Sequence, residues 1–469
     1  MSAASESPAA SSSPAATLFI VSAVQFLTPF MASAIGVALP AIGRDFGASA
    51  VQLSLIQMAY ILASSILLLP AGRFADIHGR RRVFIAGTGL IILATLALAF
   101  AGSTRFFILF RLFQGFGAAM ITATSFAILT SVIPPERRGQ AMGIIIAFVY
   151  AGLAAGPTLS GVIVTHIGWR WIFLLMVPVE IAALWLAVTQ LKGEWAESRG
   201  ESFDWWGSAL FAAALTLLIT GLTRITQVRM AWGLVLVGGI GLVFFLVQQK
   251  KKQSPLLDVN LILSNAVFAL SNIATLINYA ASFGVIFLFS LYLQYAQGFS
   301  PQAAGLILVV QPVTQALLSP LAGRLSDRWP PARVATFGMG LCAVGLMAAA
   351  QIGQDTPIKG IIVVMVILGM GFGLFSSPNM SAIMSSVASK HYGTASSLVA
   401  TMRTQGMLVS MATVTVILSH YLGDQPVTTE NIAFFIKSMQ LSLILFSFMS
   451  LVGIGFSLGR VGSKKAGQG

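Results

Sequence analysis

The sequence predicts an all-α membrane protein of fourteen spans, arranged as two related six-helix halves with a helix pair between them. Three observations carry that expectation: the composition, the spacing of long apolar stretches, and a glycine-flanked charged loop that occurs twice. The 469 residues are 57% hydrophobic and only 9% charged, whereas a water-soluble domain carries about 25% charged residues. So few charges cannot cover a compact globule in water, so the soluble classes are excluded.

A hydrocarbon layer of about 30 Å takes roughly 20 helical residues. By that measure fourteen stretches qualify: 17–39, 51–71, 83–102, 106–133, 140–166, 171–191, 205–223, 230–249, 265–294, 301–322, 334–352, 360–385, 394–420 and 432–458. Of the 27 Lys and Arg, 18 fall on one set of alternate loops and the C-terminal tail. Six fall on the other set, and Arg111, Arg403 and Lys437 lie within stretches. Basic excess marks the cytoplasmic side, so both termini are expected there, in the inner or plasma membrane of the cell. The net charge of +13 then faces anionic lipid, and nucleic acid is not an expected partner. Trp169, Trp171, Trp195, Trp205, Trp206, Trp232 and Trp329 fall at stretch ends, where an interfacial aromatic belt is expected. Cys342 is the single cysteine, which leaves no disulfide framework and no cysteine metal site.

The repeated loop sets the organisation. Residues 72–82 read Gly-Arg-Phe-Ala-Asp-Ile-His-Gly-Arg-Arg-Arg, and Gly323-Arg324-Leu325-Ser326-Asp327-Arg328 is a shortened copy. Each follows the second span of a six-span unit, which gives a 6+2+6 plan. Residues 1–16 are expected as a disordered cytoplasmic tail, 17–192 as the first six-helix bundle and 193–252 as a linker with an inserted helix pair. Residues 253–460 form the second bundle and 461–469 a second tail. The inserted pair has no charge within its spans and is expected against lipid. Lys192–Asp204 and Lys250–Lys252 are expected as solvated linkers.

Further motifs narrow the class. Span 4 carries Arg111-Leu112-x-Gln114-Gly115-x-Gly117, and span 5 carries Gly152-x-x-x-Gly156-Pro157-x-x-x-Gly161. Trp169-Arg170-Trp171-Ile172-Phe173 enters span 6, and Phe203-Asp204-Trp205-Trp206-Gly207 enters span 7. Together with Gly72, Asp76, Gly79, Arg80 and Arg81, these resemble the major facilitator superfamily over the whole chain, and within it the fourteen-span drug:proton antiporter branch. The resemblance implies the major facilitator fold, with two pseudo-symmetric bundles rocking around a midplane site. It implies that Asp76 docks near Thr394–Ser396 at the start of span 13, and that Asp327, beside Gly323 and Arg328, docks near Gly139–Gln140 at the start of span 5. Those contacts would latch the cytoplasmic gate. It ties Arg111 to substrate and proton linkage, and Gly152, Gly156, Pro157 and Gly161 to export. Two departures stand out: Ser160 replaces a usual glycine, and Met31 occupies the place of a usual span-1 aspartate.

The loss of that aspartate makes the remaining buried charges decisive. Arg at a helix centre costs about 2.5–3.5 kcal/mol on insertion scales, so Arg111 and Arg403 should face a water-filled cavity or a partner. Among the fourteen acids only Glu180 falls well inside a span. It fits either proton coupling or a neutral helix contact, because the sixth helix of this family usually supports the fold from the lipid side. His78, His166 and His420 are expected to face solvent. Polar residues expected to line a central cavity are Gln25, Thr28, Gln57, Tyr60, Gln114 and Tyr150 in the first half. Their counterparts in the second half are Asn272, Asn278, Tyr279, Gln311, Gln315 and Asn379.

The resulting expectation is a monomeric, cofactor-free, proton-driven exporter of hydrophobic or amphipathic small molecules. The alternative is a transporter of an anionic or neutral organic solute with weak or no proton coupling. The chain holds no Gly-Lys dipeptide, so it has no Walker A loop. It also has no cluster with metal-ligand spacing. ATP-driven pumping and metalloenzyme chemistry are therefore not expected.

Overall fold

The computed structural model describes residues 13–134, 137–388 and 392–466, apart from the side chains at 138, 139, 327 and 461–466. Asp327, an expected gate residue, thus has its side chain outside the described residues. Among the described residues fourteen helices are long and apolar enough to cross a membrane. The first eight are α1 (Pro14–Phe46), α2 (Ala50–His78), α3 (Arg80–Ala99), α4 (Thr104–Val132), α5 (Arg138–His166), α6 (Arg170–Gln190), α7 (Trp205–Arg224) and α8 (Ala231–Lys251). A short helix α9 (Val259–Ser264) precedes α10 (Ala266–Leu291), which continues as a π turn through Ala296. The tenth span is split into α11 (Pro301–Leu308) and α12 (Val310–Arg328). The chain ends with α13 (Pro331–Ala349), α14 (Ile358–Ser385), α15 (Tyr392–Leu422) and α16 (Ile432–Ala466).

Local chemistry sets the ends of these helices. Ser49 accepts from the Gln52 N–H while the Gln52 side chain accepts from the Ser49 N–H, a capping box that starts α2. Asn265 and Ser300 cap α10 and α11 in the same one-sided way as Ser103 caps α4. Gly79, at φ 118°, makes the corner between α2 and α3, a backbone region that a side chain would strain. The break in the tenth span has a covalent cause. Pro312 cannot donate to the carbonyl four residues back, so the helix is interrupted at Val309.

Helices α1–α6 pack together, as do α10–α16. Lipid offers no hydrophobic drive for helix association, so close fit and hydrogen bonds carry these contacts. The end of the molecule bearing residues 72–82 is termed the loop face below, and the opposite end the far face. Helices α7 and α8 pair with each other, and α7 leans on both α2 and α15. Thr226 and Gln227, just past α7, meet the Ser419 hydroxyl of α15 at 3.1 and 3.0 Å. The inserted pair is therefore not merely a lipid-side appendage, because it straddles the two bundles.

The linker before α7 also departs from expectation. Asp204 caps α7 by accepting from the Gly207 N–H at 2.9 Å, and it receives Gln249 Nε2 at 2.8 Å and Lys252 Nζ at 2.6 Å. The start of α7 is thus tied to the end of α8. Burial works to raise the Asp204 carboxyl, but Lys252, the Gly207 N–H and Gln249 outweigh it and hold it below the ordinary carboxylate range. A depressed carboxylate stabilises the fold above its unfolded-state pKa of about 3.9, and that contribution is lost as pH falls through the folded value. Replacing Asp204 by Ala should cost about 1–2 kcal/mol, read as a lower thermal midpoint in detergent at neutral pH. The gap from wild type should narrow as the pH is taken below the carboxylate range.

Candidate functional site

The first component is the loop itself. Asp76 Oδ1 accepts from Arg80 Nε at 2.8 Å, and Arg80 Nη1 reaches Glu197 Oε1 at 2.7 Å and Ser131 Oγ at 3.0 Å. Arg81 donates to the Leu191 and Val188 carbonyls at 2.5 and 2.8 Å, closing the open end of α6. Glu194 accepts from the Arg81 N–H at 2.8 Å and lies 3.5 Å from Arg82. Glu201 pairs with Arg73. Segment 192–204 is therefore a strap carrying three glutamates, each set against an arginine of the loop. Trp195 packs inward with it instead of joining an interfacial belt. The same holds for Trp169, which is buried between Phe46, Phe107 and Phe173 and donates to Asp45. His78, His166 and His420 are exposed, as expected.

The second component is the seam between bundles. On the far face, Ser290 Oγ donates to the Gly36 carbonyl at 2.7 Å, Gln294 Nε2 to Val37 at 3.0 Å and Tyr295 OH to Pro40 at 3.2 Å. Thr415 Oγ1 donates to Ser54 Oγ at 2.9 Å, and the Ala50 N–H to the Gln425 carbonyl at 3.3 Å. Helix α5 serves both bundles. Gly152 and Gly156 lie against the backbone of α1, and Gly161 lies so close to Pro301 that an added Cβ would sit 2.7 Å from its carbonyl oxygen. Gly305 of α11 returns the contact onto the Pro157 carbonyl. Only glycine permits backbones this near. These hydrogen bonds between the two bundles all lie in the far half. Toward the loop face the bundles part: Gln140 and Thr394 are exposed, and a Cβ on Gly143 or Gly393 would meet nothing within 4 Å. The expected docking of Asp76 on Thr394–Ser396 is accordingly not made in this conformation. With the loop face open, Asp76 turns to Arg80 of the neighbouring turn.

The third component lies inside the first bundle. Glu180 is 2% exposed and belongs to the bundle interior, not the lipid side. Thr95 Oγ1 donates to Glu180 Oε1 at 3.2 Å, Gln114 Nε2 donates to Thr95 Oγ1 at 3.1 Å, and Arg111 Nη1 donates to Gln114 Oε1 at 2.6 Å. Arg111 is wholly buried, and its guanidinium carbon stands 4.3 Å from the centre of the Tyr60 ring, within cation–π range. One nitrogen of Arg111 and one oxygen of Glu180 have no partner. Glu180, Met31, Thr28, Tyr60 and Gln114 line one cavity of about 20 Å³, room for a single water. The residue in the usual aspartate position and the one mid-span acid thus face the same small void. Thr95, absent from the sequence expectations, is the bridge, and its spacing of one heptad from Thr88 was the available signal.

Between the bundles, Tyr150 of α5 approaches Gln315, Ser376 and Tyr279 of the second bundle. Tyr279 meets Phe372 edge-on at 5.6 Å. Arg403 is half-buried, close enough to Tyr60 and Tyr150 for its charge to act on both. Other expected cavity residues are engaged elsewhere. Gln57 donates to the Ala32 carbonyl at 3.3 Å, Asn272 to the Phe268 carbonyl of its own helix at 2.9 Å, and Asn278 lies beside Cys342. Gln25 and Gln311 are buried. Asn379 serves Arg460, which lies just past the 432–458 stretch of the sequence. Arg460 is 1% exposed, donating to Ser271 Oγ at 2.9 Å and Ser457 Oγ at 2.6 Å and pairing with Asn379. Its arginine character is thus consumed in joining α10, α14 and α16.

Two six-helix bundles with an inserted helix pair, built from fourteen membrane-crossing helices among the described residues, are the arrangement of a membrane transporter. The chain belongs to the Major Facilitator Superfamily, whose family profile matches residues 21–411 and 271–466. It is 30% identical to the riboflavin transporter RibZ of Clostridioides difficile (strain 630), over 82% of this chain and 84% of that one. It is 28% identical to the multidrug resistance protein Stp of Mycobacterium tuberculosis, over 83% and 73% respectively. Identity to the tetracenomycin C resistance and export protein of Streptomyces glaucescens is 27%, over 87% and 76%.

The far-face seal yields a direct test. Cysteines introduced as Ser54→Cys with Thr415→Cys should cross-link under mild oxidation and arrest transport, with recovery on reduction. The native Cys342 is buried and should not interfere. Absence of the cross-link, or full transport by the cross-linked protein, would contradict the seal.

Proposed function

We propose that this protein is a proton-coupled exporter of hydrophobic or amphipathic small molecules, with Glu180 as the group that carries the proton. The supporting observation is the shared void: Glu180 presents its carboxyl where Met31 stands in the place of the usual acid. Protonation there changes the charge of a chain that runs through Thr95 and Gln114 to Arg111. Arg111 contacts Tyr60, whose other neighbour is Arg403 of the second bundle. A proton event inside one bundle is thereby connected to the surface along which the bundles meet.

A cytoplasmic loop face is supported by the basic residues, whose excess lies on that side. The conformation is then inward-facing, with the outer gate shut by the α1–α10, α2–α15 and α5–α11 contacts. Asp76 is released from Thr394–Ser396 in this state and engages them when the loop face closes. Export is supported by the Gly152–Gly161 pattern of α5 and by the two relatives named for resistance. RibZ marks the wider range of organic cargo carried by similar chains.

The test is transport in proteoliposomes with an imposed pH gradient. One pH unit supplies about 1.4 kcal/mol per proton, an accumulation ratio of about tenfold. Wild-type protein should concentrate an amphipathic dye accordingly. Glu180→Gln should still exchange dye at equilibrium but should ignore the gradient. Wild-type transport indifferent to the gradient, or unchanged coupling in Glu180→Gln, would refute the assignment.

A further inference from the structure

At the far face, the end of α1 and the turn between α5 and α6 enclose an open recess of about 520 Å³. It shares no lining residue with the void at Glu180. Arg44 and Asp45 line it from the last turn of α1, and Trp169, Arg170 and Trp171 line it from the start of α6. Gly168, at φ 96°, makes the corner between them. Past that corner Trp169 turns into the bundle, whereas Arg170 and Trp171 stay outside.

The recess has a fixed base. Trp169 is 5% exposed, and its Nε1 donates to Asp45 Oδ2 at 3.2 Å. Arg170 Nη1 donates to the same oxygen at 2.7 Å, and its guanidinium carbon stands 4.2 Å from the centre of the Trp169 ring. Stacking holds the planar fork in place, so less freedom is lost per hydrogen bond that it forms. Among the described residues Nε and Nη2 of Arg170 have no hydrogen bond. Arg44 has neither a hydrogen bond nor an ion pair among them, and lies only over the Tyr295 ring at 5.9 Å.

Charge and position then select a ligand. Asp45 is the one acid that lines the recess, and Arg170 and Trp169 already engage it. Two arginines against one aspartate leave a positive excess, with Arg44 uncompensated. Unused guanidinium donors match the oxygens of a phosphate. Arg44 lies near the end of one membrane-crossing helix and Arg170 opens another, the level at which lipid headgroups meet the protein. Trp171 and Ile167, which also line the recess, are 46% and 52% exposed. The basic site thus has an apolar border that a free anion would not use.

We propose that this recess binds the phosphodiester of an anionic phospholipid, held by Arg44 and Arg170, with its acyl end against Trp171 and Ile167. The assignment depends neither on the proton step nor on the direction of transport. The Tyr295 ring beneath Arg44 belongs to the far-face seal, since its hydroxyl donates to the Pro40 carbonyl. The lipid would therefore sit at the edge of that seal.

Lipid binding to the purified full-length protein in detergent, counted by native mass spectrometry, tests the proposal. The probes are dioleoylphosphatidylglycerol, dioleoylphosphatidylcholine and the water-soluble headgroup glycerophosphoglycerol. The first phosphatidylglycerol should bind at least about tenfold more tightly than the first phosphatidylcholine. Arg44→Gln should weaken that first site about tenfold. Its lipid-free thermal midpoint should match wild type, because Arg44 makes no bond that the substitution removes. Arg170→Lys keeps the charge but loses the stacked fork, and should weaken the site by several-fold. Arg229→Gln removes an exposed charge from the same face at the α7–α8 turn, and should leave the first site intact. Equal affinity for the two lipids, a first site unchanged in Arg44→Gln, or equal weakening by Arg229→Gln would overturn the proposal. Displacement of the lipid by an equal concentration of the soluble headgroup would show a free-anion site and overturn the lipid assignment.

Discussion

Hydrocarbon leaves polar groups unanswered by water, and that constraint organises this molecule. Backbone donors are met within their own helices or by caps and neighbouring side chains, and a charge that enters the layer must bring or find a partner. The response to this demand differs from site to site. Arg460 is enclosed by hydroxyls and an amide, so it joins three helices as a neutral scaffold would. Arg111 is held by the Gln114 amide, the Ile56 carbonyl and the Tyr60 face, and through Gln114 and Thr95 it is connected to the buried acid. Arg403, half-buried on α15, has neither a hydrogen bond nor an ion pair among the described residues. The same side chain type is thus used as a structural joint, a relay and an unpaired charge, and the difference lies only in what surrounds it.

The bundles themselves meet through surfaces of unlike character. Along the far half, small residues let backbones approach, and side-chain bonds reach across to the carbonyls of Gly36, Val37 and Pro40 of α1. Helix α5 takes part in both halves of the contact, resting Gly152 and Gly156 on α1 and Gly161 on α11. Any rotation of one bundle against the other must pass through this helix. At the loop face the strap of Glu194, Glu197 and Glu201 ties the arginines to their own bundle. The basic loop is therefore compensated locally when the bundles stand apart.

Much of this was legible in the sequence, because span length and apolar content are one-dimensional properties. All fourteen crossings, the 6+2+6 order and the glycine pattern of α5 could be read directly. Which way a residue faces could not. Helix α6 is apolar all round, so nothing in its sequence distinguishes a lipid-facing Glu180 from one turned inward. The burial of Arg460 was not legible, because a basic residue near a span end looks topogenic until its partners, 81 and 189 positions away, are known. The strap was taken as solvated linker for a similar reason. Its glutamates acquire meaning only once the chain folds back beneath residues 72–82.

The placement of α7 and α8 makes the two flanks of the transporter unlike. Because that pair leans on α2 and α15 together, the seam on that side is shielded from the surrounding acyl chains. The seam between α5 and α11 has no such cover, and Leu159, Val162 and Leu306 stand exposed along it. The two flanks therefore turn different surfaces to the acyl chains, one faced by a helix pair and one closed by glycine-to-backbone packing.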